Sequence, residues 1–267
     1  HRMEVPALVR QLDRLEREGT RVMAVVGTAG STPTGSFDDL ESIGRLCEDR
    51  GLWLHVDGAH GATALFSARH QHRMAGIHRA RSLAWDPHKT MLLPLSAGMV
   101  MLRNERDLAQ AFLQGAPYLF HQAGGAKVWD LGPVSFQCSR RADALKVWVT
   151  LQRYGARAVG ALYDRLAETT ASLYDLVREH PAFEAMHQPE SNILCFRYLA
   201  DGQQADAVLD TLNFELRQRY NRSGKGWITM TVLGGRRVLR TTIMNPRTNA
   251  DHLQALLDGL VATAQSL

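Results

Sequence analysis

Two side chains in this sequence, a carboxylate and an amine, have types and spacing that could do chemistry together. Asp57 follows the apolar run 52–56, and Lys89 lies 32 residues further on, at the end of Trp85-Asp86-Pro87-His88-Lys89. Pyridoxal 5'-phosphate (PLP) chemistry needs both groups, because an amine holds that cofactor as a Schiff base and an acid keeps its pyridine nitrogen protonated. The pair makes a PLP site the first hypothesis.

Each residue also has an ordinary structural interpretation. A lone lysine after a strand is commonly a solvated loop residue, and a lone aspartate at a strand end is often a helix cap or a turn residue. The composition beside Asp57 favours function, because the small or polar residues Gly58, Ala59 and His60 follow it and leave room for a flat ligand. Ligands of open α/β sheets bind outside the carboxyl ends of the strands, where both residues are expected.

The elements that must position these residues follow from the hydrophobic pattern. Apolar spacing predicts a helix over 6–18, and 22–26 and 52–56 read as short strands. Residues 28–36 are dense in Gly, Ser, Thr and Pro and predict a loop, after which Asp38 opens a helix with Ile43, Leu46 and Cys47 on its apolar face. Strand, helix and strand in this order predict a βαβ unit and a parallel sheet.

The remaining pattern predicts a second, smaller domain. Beyond a helical passage over 69–74, strands are expected at 82–85 and 97–102, then a helix from about Glu105. Residues 115–133 read as a long loop, and 140–153 as a helix that continues past Gly155. Strands at 193–198, 227–232 and 238–243 with helices near 205–219 and 249–264 fit a small α+β domain. The predicted domains are 1–155 and 156–267.

The composition limits the classes of protein to which this chain can belong. The 267 residues are 45% hydrophobic, enough for a sizeable core, and the formal net charge is +4 with scattered arginines, which argues against nucleic-acid binding. Three cysteines (Cys47, Cys138, Cys195) lack metal-type spacing, which predicts no metal and a reduced, cytoplasmic protein. No apolar stretch approaches the roughly 18 residues that span a bilayer, so no membrane association is expected.

Longer runs of residues resemble the group II PLP-dependent amino-acid decarboxylases, which act on glutamate, cysteine sulfinate, 2,4-diaminobutyrate and aromatic amino acids. They occur in family order over nearly the whole chain. The runs are Val25-Val26-Gly27-Thr28-Ala29-Gly30-Ser31-Thr32-Pro33-Thr34-Gly35-Ser36-Phe37-Asp38, Leu52-Trp53-Leu54-His55-Val56-Asp57-Gly58-Ala59-His60-Gly61, Trp85-Asp86-Pro87-His88-Lys89, Tyr118-Leu119-Phe120, Gln137-Cys138-Ser139-Arg140-Arg141 and Arg240-Thr241-Thr242-Ile243-Met244-Asn245-Pro246.

The resemblance implies a fold and a cofactor site. The fold is α/β, the fold type I (aspartate-aminotransferase-like) of PLP enzymes, here a partial large domain with a mainly parallel sheet and a small C-terminal α+β domain. Lys89 would form the Schiff base, Asp57 would pair with the pyridine nitrogen, and Ala59 would lie against one face of the ring. His88 would contact the phosphate or move protons, with a hydrogen-bonded loop histidine as the alternative. Asp86, where several relatives have Asn near the phosphate, is expected to face away from it.

The resemblance also implies substrate contacts. Arg240 aligns with the arginine that binds the substrate carboxylate, a task that suits a bidentate guanidinium. Thr28 and Ser31, on the loop after the first strand, would lie near the cofactor's phenolic oxygen or the substrate carboxylate, and ordinary turn chemistry is the alternative for each. Of His55 and His60, at least one is expected in a packing or turn role.

The loop between Phe120 and Ser135 departs from the family pattern. Many members carry there a tyrosine thought to reprotonate the intermediate, and Trp129 occupies that catalytic place in this chain. An indole N–H donates hydrogen bonds but is not a practical acid, so His121 or His88 is the alternative proton donor.

The second departure is that the family's phosphate-binding loop lies N-terminal to the part represented here. The resemblance therefore predicts either a fragment of a longer polypeptide or a chain that assembles with another supplying the missing N-terminal half, and a homodimer is the other expectation. The predicted activity is decarboxylation of a small L-amino acid, acidic or diamino, to its amine and CO2. The alternatives are an aldehyde-forming or other lyase relative and a non-catalytic subunit that completes a partner's site.

Overall fold

The computed structural model describes residues 1–112, 135–137, 139–200 and 204–267, which form two four-stranded sheets joined by a long helix. The helices are α1 (Val5–Arg17), α2 (Leu40–Asp49), α3 (Glu105–Ala111), α4 (Ala144–Glu179), α5 (Asp206–Arg222) and α6 (Ala250–Ala264). The strands are β1 (Ala24–Thr28), β2 (Trp53–Asp57), β3 (Ser82–Trp85), β4 (Met99–Leu102), β5 (Phe183–Ala185), β6 (Ile193–Tyr198), β7 (Thr229–Leu233) and β8 (Arg236–Thr242).

The first sheet has the order β1-β2-β3-β4 and carries the residues predicted to do chemistry. Strands β1, β2 and β3 are parallel, and β4 runs antiparallel to β3. The predicted βαβ unit and mainly parallel sheet are therefore confirmed. In the register, Thr28 lies opposite Asp57, which lies opposite Ala84, so the carboxyl ends of the three parallel strands are level.

Helix α2 shows how the sequence builds this layer. Asp39 caps the helix, its carboxylate accepting from the Ser42 hydroxyl at 2.6 Å and from the Ser42 backbone N–H at 3.0 Å, and these two hydrogen bonds lower the pKa of Asp39. Ile43 and Cys47, from the predicted apolar face, are buried in the core beneath the sheet. A capped end and a buried stripe thus fix the helix that connects β1 to β2.

The second sheet has the order β5-β6-β8-β7, and all its neighbouring strands are antiparallel. It forms a separate core with α4, α5 and α6, as the predicted small α+β domain requires. The pattern did not predict β5, because three residues directly after a helix are too few to show a strand period.

Several predicted boundaries need correction. Thr28 is the last residue of β1 rather than a loop residue, because it pairs in register with Asp57. Helix α4 begins at Ala144 rather than near residue 140, and the passage predicted as helical over 69–74 is part of three short 3₁₀ turns, Ala62–Phe66, Gln71–Met74 and Ile77–Arg79. Strand β7 begins at Thr229, two residues later than predicted.

Helix α4 crosses between the two cores. It is kinked at Gly155, whose φ of 78° and ψ of 165° are not helical. Tyr163 still packs in the first core, and the second core begins with Leu166. The domain division at 155/156 stays a prediction. Within the described ranges, no helix is both long enough and apolar enough to cross a membrane.

Candidate active site

The turns that follow β1, β2 and β3 are tied together at one edge of the first sheet. The backbone N–H of Ala29 donates to the carbonyl of Asp57 at 2.8 Å, and that of Gly58 donates to the carbonyl of Ala84 at 3.0 Å. The N–H of Asp86 then donates to the carbonyl of Ala59 at 3.1 Å. This ladder places Asp57 and the turn that carries Lys89 at the carboxyl ends of neighbouring strands, as expected for a ligand site.

Asp57 presents its carboxylate to the outside of this edge. Its residue is exposed, and one carboxylate oxygen accepts from the backbone N–H of Ala59 at 3.1 Å. Among the residues that the structure describes, no cationic side chain pairs with it. A held but uncompensated carboxylate suits a protonated ligand nitrogen.

Small residues allow the turns after β1 and β2 to approach closely. The N–H of Gly61 donates to the carbonyl of Ala29 at 3.0 Å, and a Cβ on Gly61 would lie only 2.5 Å from that oxygen. Gly30 has a φ of +84°, and its Cβ would lie 2.7 Å from the nitrogen of Gly61. The glycines are therefore needed for backbone contact that holds Ala59 and its neighbours in place.

Lys89 lies in a tight turn with an acidic partner. Its backbone N–H donates to the carbonyl of Asp86 at 2.9 Å, and its Nζ lies 3.0 Å from the Asp86 carboxylate. The Lys89 side chain is 37% exposed, so the amine is accessible. Asp86 therefore faces the lysine, a partner that the sequence reasoning did not identify although the residues are three apart in one turn.

His88 is anchored to the backbone rather than free. Its Nδ1 lies 2.8 Å from the carbonyl oxygen of Ala97, and its Nε2 lies 3.9 Å from the Asp86 carboxylate. The hydrogen-bonded loop histidine of the sequence analysis describes this position, and a role for Nε2 at the site stays a prediction.

The C-terminal sheet contributes Arg240 to the same region. Arg240 lies in β8, and its Nε donates to the carbonyls of Thr32 at 3.0 Å and Pro33 at 3.1 Å, in the loop after β1. Burial lowers the pKa of Arg240. The Ser31 hydroxyl in that loop lies 2.9 Å from those of both Thr34 and Ser36, so it is held by its own loop.

Two residues of this region were missed or left ambiguous by sequence reasoning. Nε2 of His60, three residues after Asp57, lies 2.6 Å from Oδ1 of Asn192, just before β6. In the sequence, the only indication of a role for His60 was its position close to Asp57, and nothing indicated a role for Asn192. His55 has a packing role, with Nδ1 2.8 Å from the Ser82 hydroxyl. Trp129 and the alternative His121 lie outside the described residues.

The donor set fits PLP. An accessible amine and an exposed carboxylate lie on neighbouring strand ends, with Ala59 between the two turns and Arg240 reaching in from the second sheet. Lys89 could hold the cofactor, Asp57 could pair with its ring nitrogen, and Ala59 is small enough to lie against a flat ring.

Comparison with known proteins supports the same chemistry. The model of the pyridoxal-dependent decarboxylase conserved domain matches residues 1–199. An L-2,4-diaminobutyrate decarboxylase of Rhizobium meliloti is 34% identical over 267 residues, covering 100% of this chain and 53% of that protein. The acidic amino acid decarboxylase GADL1 of Homo sapiens is 30% identical over 261 residues, covering 94% of this chain and 50% of that protein.

Solved structures share the fold. A crystal structure of mouse CSAD in apo form superposes with a TM-score of 0.91 at 30% identity, covering 100% of this chain and 57% of that one. The chain spans about half the length of the curated relatives it matches. The similarity therefore extends through both sheets, and the relatives contain a comparable length of chain besides.

Proposed function

Because the chain belongs to the pyridoxal-dependent decarboxylase family, we propose that it supplies the lysine-bearing half of an enzyme that converts a small L-amino acid to its amine and CO2. The observation that carries this proposal is the level row of strand ends, which brings Asp57 and the Lys89 turn to one edge of the first sheet. The roles of the individual residues below are part of the proposal.

PLP, when bound, supplies an aldehyde that captures amines and a ring that accepts the electron pair of a broken bond. Lys89 would hold the cofactor through its Nζ. Asp57 holds a proton at the pyridine nitrogen through a charge-assisted hydrogen bond. Arg240 binds and orients the substrate carboxylate, and the Thr28 hydroxyl and Ala59 position the ring. The chain's residues thereby select which bond is broken.

We propose an acidic or diamino amino acid as substrate. The support is that the named relatives act on 2,4-diaminobutyrate and on acidic amino acids. A panel of L-2,4-diaminobutyrate, L-aspartate, L-glutamate and an aromatic amino acid, scored by CO2 release, ranks these classes directly. Fastest release from the aromatic member would reject this substrate class.

The test of the function is covalent capture at Lys89. Borohydride reduction of the enzyme assembled with its other half and PLP, followed by peptide mass analysis, should label the Lys89 peptide. Lys89→Ala should lose the label and lower CO2 release at least a thousandfold, since covalent attachment is lost. Lys225→Ala, at an exposed lysine before β7, is the matched control and should keep both. Unchanged activity in Lys89→Ala would reject this function and leave the non-catalytic subunit.

We propose that further protein covers the edge strand β4 and the outer face of β1. Val100 in β4 is 58% exposed and Met23 beside β1 is 85% exposed, although both are large apolar residues. A chain or segment that supplies the other half of the relatives' length fits these edges, and a homodimer is the alternative. Slow exchange of those β4 amides that do not bond to β3 would support coverage in the native protein, and fast exchange of the same amides would reject it. Sedimentation mass separates the two partners.

An aldehyde-forming activity is the second candidate function. It is favoured by Trp129, which stands at the place of the family's proton-donating tyrosine. Consumption of O2, with release of ammonia and hydrogen peroxide together with CO2, would distinguish it. We also propose a cytoplasmic location, supported by the free thiols of Cys47 and Cys195. Fractionation of the source cells tests that location.

A further inference from the structure

A hydrogen bond between His60 and Asn192 joins the candidate active site to the C-terminal sheet. His60 lies in the turn after β2, next to Ala59, and Asn192 lies directly before β6. The 2.6 Å contact between Nε2 and Oδ1 spans 132 residues of sequence. It therefore connects the two halves of the described fold at the site itself.

The donor of this bond follows from the orientation of Asn192. The Asn192 amide nitrogen donates to the carbonyl of Ile243 at 2.9 Å, and the residue is 1% exposed. Its Oδ1 therefore faces His60 and can only accept, so Nε2 of His60 carries the hydrogen. Burial, helped by the nearby positive charges of Lys89 and Arg240, lowers the pKa of His60 to about 4, although the hydrogen bond to Asn192 acts in the opposite direction. The ring is neutral, in its Nε2–H form.

The same bond belongs to a continuous chain of contacts. The buried Thr90, directly after Lys89, donates its hydroxyl to the carbonyl of His60 at 2.9 Å. At the other end, the backbone N–H of Ile243 donates to the carbonyl of Asn192 at 2.9 Å. Ile243 is three residues after Arg240. Thr90, His60, Asn192 and Ile243 thus connect the lysine turn with the strand that carries the arginine.

We propose that His60 is a positioning residue, which fixes the distance between the amine of Lys89 and the guanidinium of Arg240. The proposal rests on the function proposed above, since it gives these two groups the cofactor and the substrate carboxylate. Its consequence is that losing the Nε2–H donor should weaken substrate binding without removing cofactor capture.

The first test does not depend on enzyme activity. Nitrogen NMR of the imidazole rings, with His60 assigned by comparison with His60→Gln, should show a neutral Nε2–H ring from pH 5 to 9. An Nδ1–H ring, or a His60 titration near pH 6.5, would overturn the proposal whatever the enzyme does.

The second test compares two variants that differ in the donor. His60→Gln keeps an amide N–H that can reach Asn192, and His60→Leu removes it and leaves the buried Asn192 oxygen unpaired. For L-2,4-diaminobutyrate, with L-aspartate and L-glutamate as further probes, His60→Leu should raise KM about 10-fold, and His60→Gln should stay within about 3-fold. Borohydride capture at Lys89 should persist in both.

The outcomes separate the two proposals. A folded His60→Leu protein with unchanged KM shows a merely structural contact and overturns the role of His60. Failure of the unsubstituted enzyme, assembled with the protein that supplies the other half, to capture PLP or release CO2 rejects the proposed function instead. If His60→Leu does not fold, Asn192→Asp replaces it, and this variant should make His60 titrate near neutral pH, whereas an unchanged ring would overturn the contact.

Discussion

The two sheets contain similar apolar strands but bury them to different extents. In the C-terminal sheet, β6 is enclosed, and Ile193, Leu194 and Phe196 have no exposed surface. In the first sheet, the edge strand β4 leaves Val100 58% exposed and Met101 38% exposed. Both strands are rich in residues that prefer burial. The difference lies in what covers them among the described residues, not in their composition.

This difference shows which part of the candidate site is stabilised by packing within the described chain. The C-terminal sheet meets α4, α5 and α6 and closes its own core, so the strand that carries Arg240 is fixed from within the chain. The Lys89 turn depends on a sheet with an uncovered apolar edge. The His60–Asn192 bond joins the supported region to the uncovered one. Substitutions in the two regions should therefore have unequal costs.

The largest difference is expected between Phe196→Ala and Val100→Ala. Removing the fully buried Phe196 leaves a cavity in the C-terminal core and should lower the free energy of unfolding by about 3–5 kcal/mol. Val100→Ala, at a side chain that is 58% exposed in this chain, should change the stability of this chain alone by less than about 0.5 kcal/mol. Urea denaturation of both proteins measures the contrast. A large cost for Val100→Ala would mean that β4 is covered in the native protein.

A smaller contrast is expected around the buried Arg197. Its guanidinium, with the side chain 1% exposed, lies 2.6 Å from the carboxylates of both Asp210 and Asp206, whose side chains are 24% and 60% exposed. Asp210→Ala removes the better-buried partner and should cost about 3 kcal/mol. Asp206→Ala should cost clearly less, since an exposed pair is screened by water. Equal costs in thermal unfolding would show that burial of the acid does not decide the value of the pair.

The positions of the strands and the sheet edge that carries the candidate site could be predicted from this sequence. Side-chain contacts between elements far apart in the sequence could not. Asp57 and Lys89 follow apolar runs bounded by turn residues, so pattern and chemistry agreed on their place, and β3 and β6 have the predicted bounds. The pairing of His60 with Asn192 depends on how two sheets pack, which no local period encodes. The exposure of β4 could not be predicted from the sequence either, because the exposure of a strand depends on what packs against it.

Acid should weaken the junction between the two regions. Burial holds the pKa of His60 at about 4, below the value of about 6.5 in an unfolded chain, and also lowers the pKa of His70 and His187. A histidine with a depressed folded pKa contributes stability above pH 6.5, and this is lost as the pH falls towards 4. For His60 the loss is about 2 kcal/mol, allowing for the partly exposed residue. Urea midpoints from pH 7.5 to 4 measure it.

His60→Gln is the matched variant for this pH dependence. Glutamine does not titrate, so the variant should lose less stability between pH 6.5 and 4 than the unsubstituted protein, and His70 and His187 should supply what remains. Parallel curves of stability against pH for the two proteins would contradict a depressed pKa at His60. They would also argue against the proposed hydrogen-bonded link between the two sheets.

The smallest effect on stability is expected at the kink in α4, the helix that joins the two regions. Gly155 has a φ of +78°, in a region that side-chain-bearing residues rarely adopt, and an added Cβ would meet no atom within 4 Å. Gly155→Ala should therefore cost about 1 kcal/mol through backbone strain alone, and Arg157→Ala, exposed in the same helix, should cost less than about 0.5 kcal/mol. If Gly155→Ala raised the melting temperature, α4 would not need a positive φ at this position in solution.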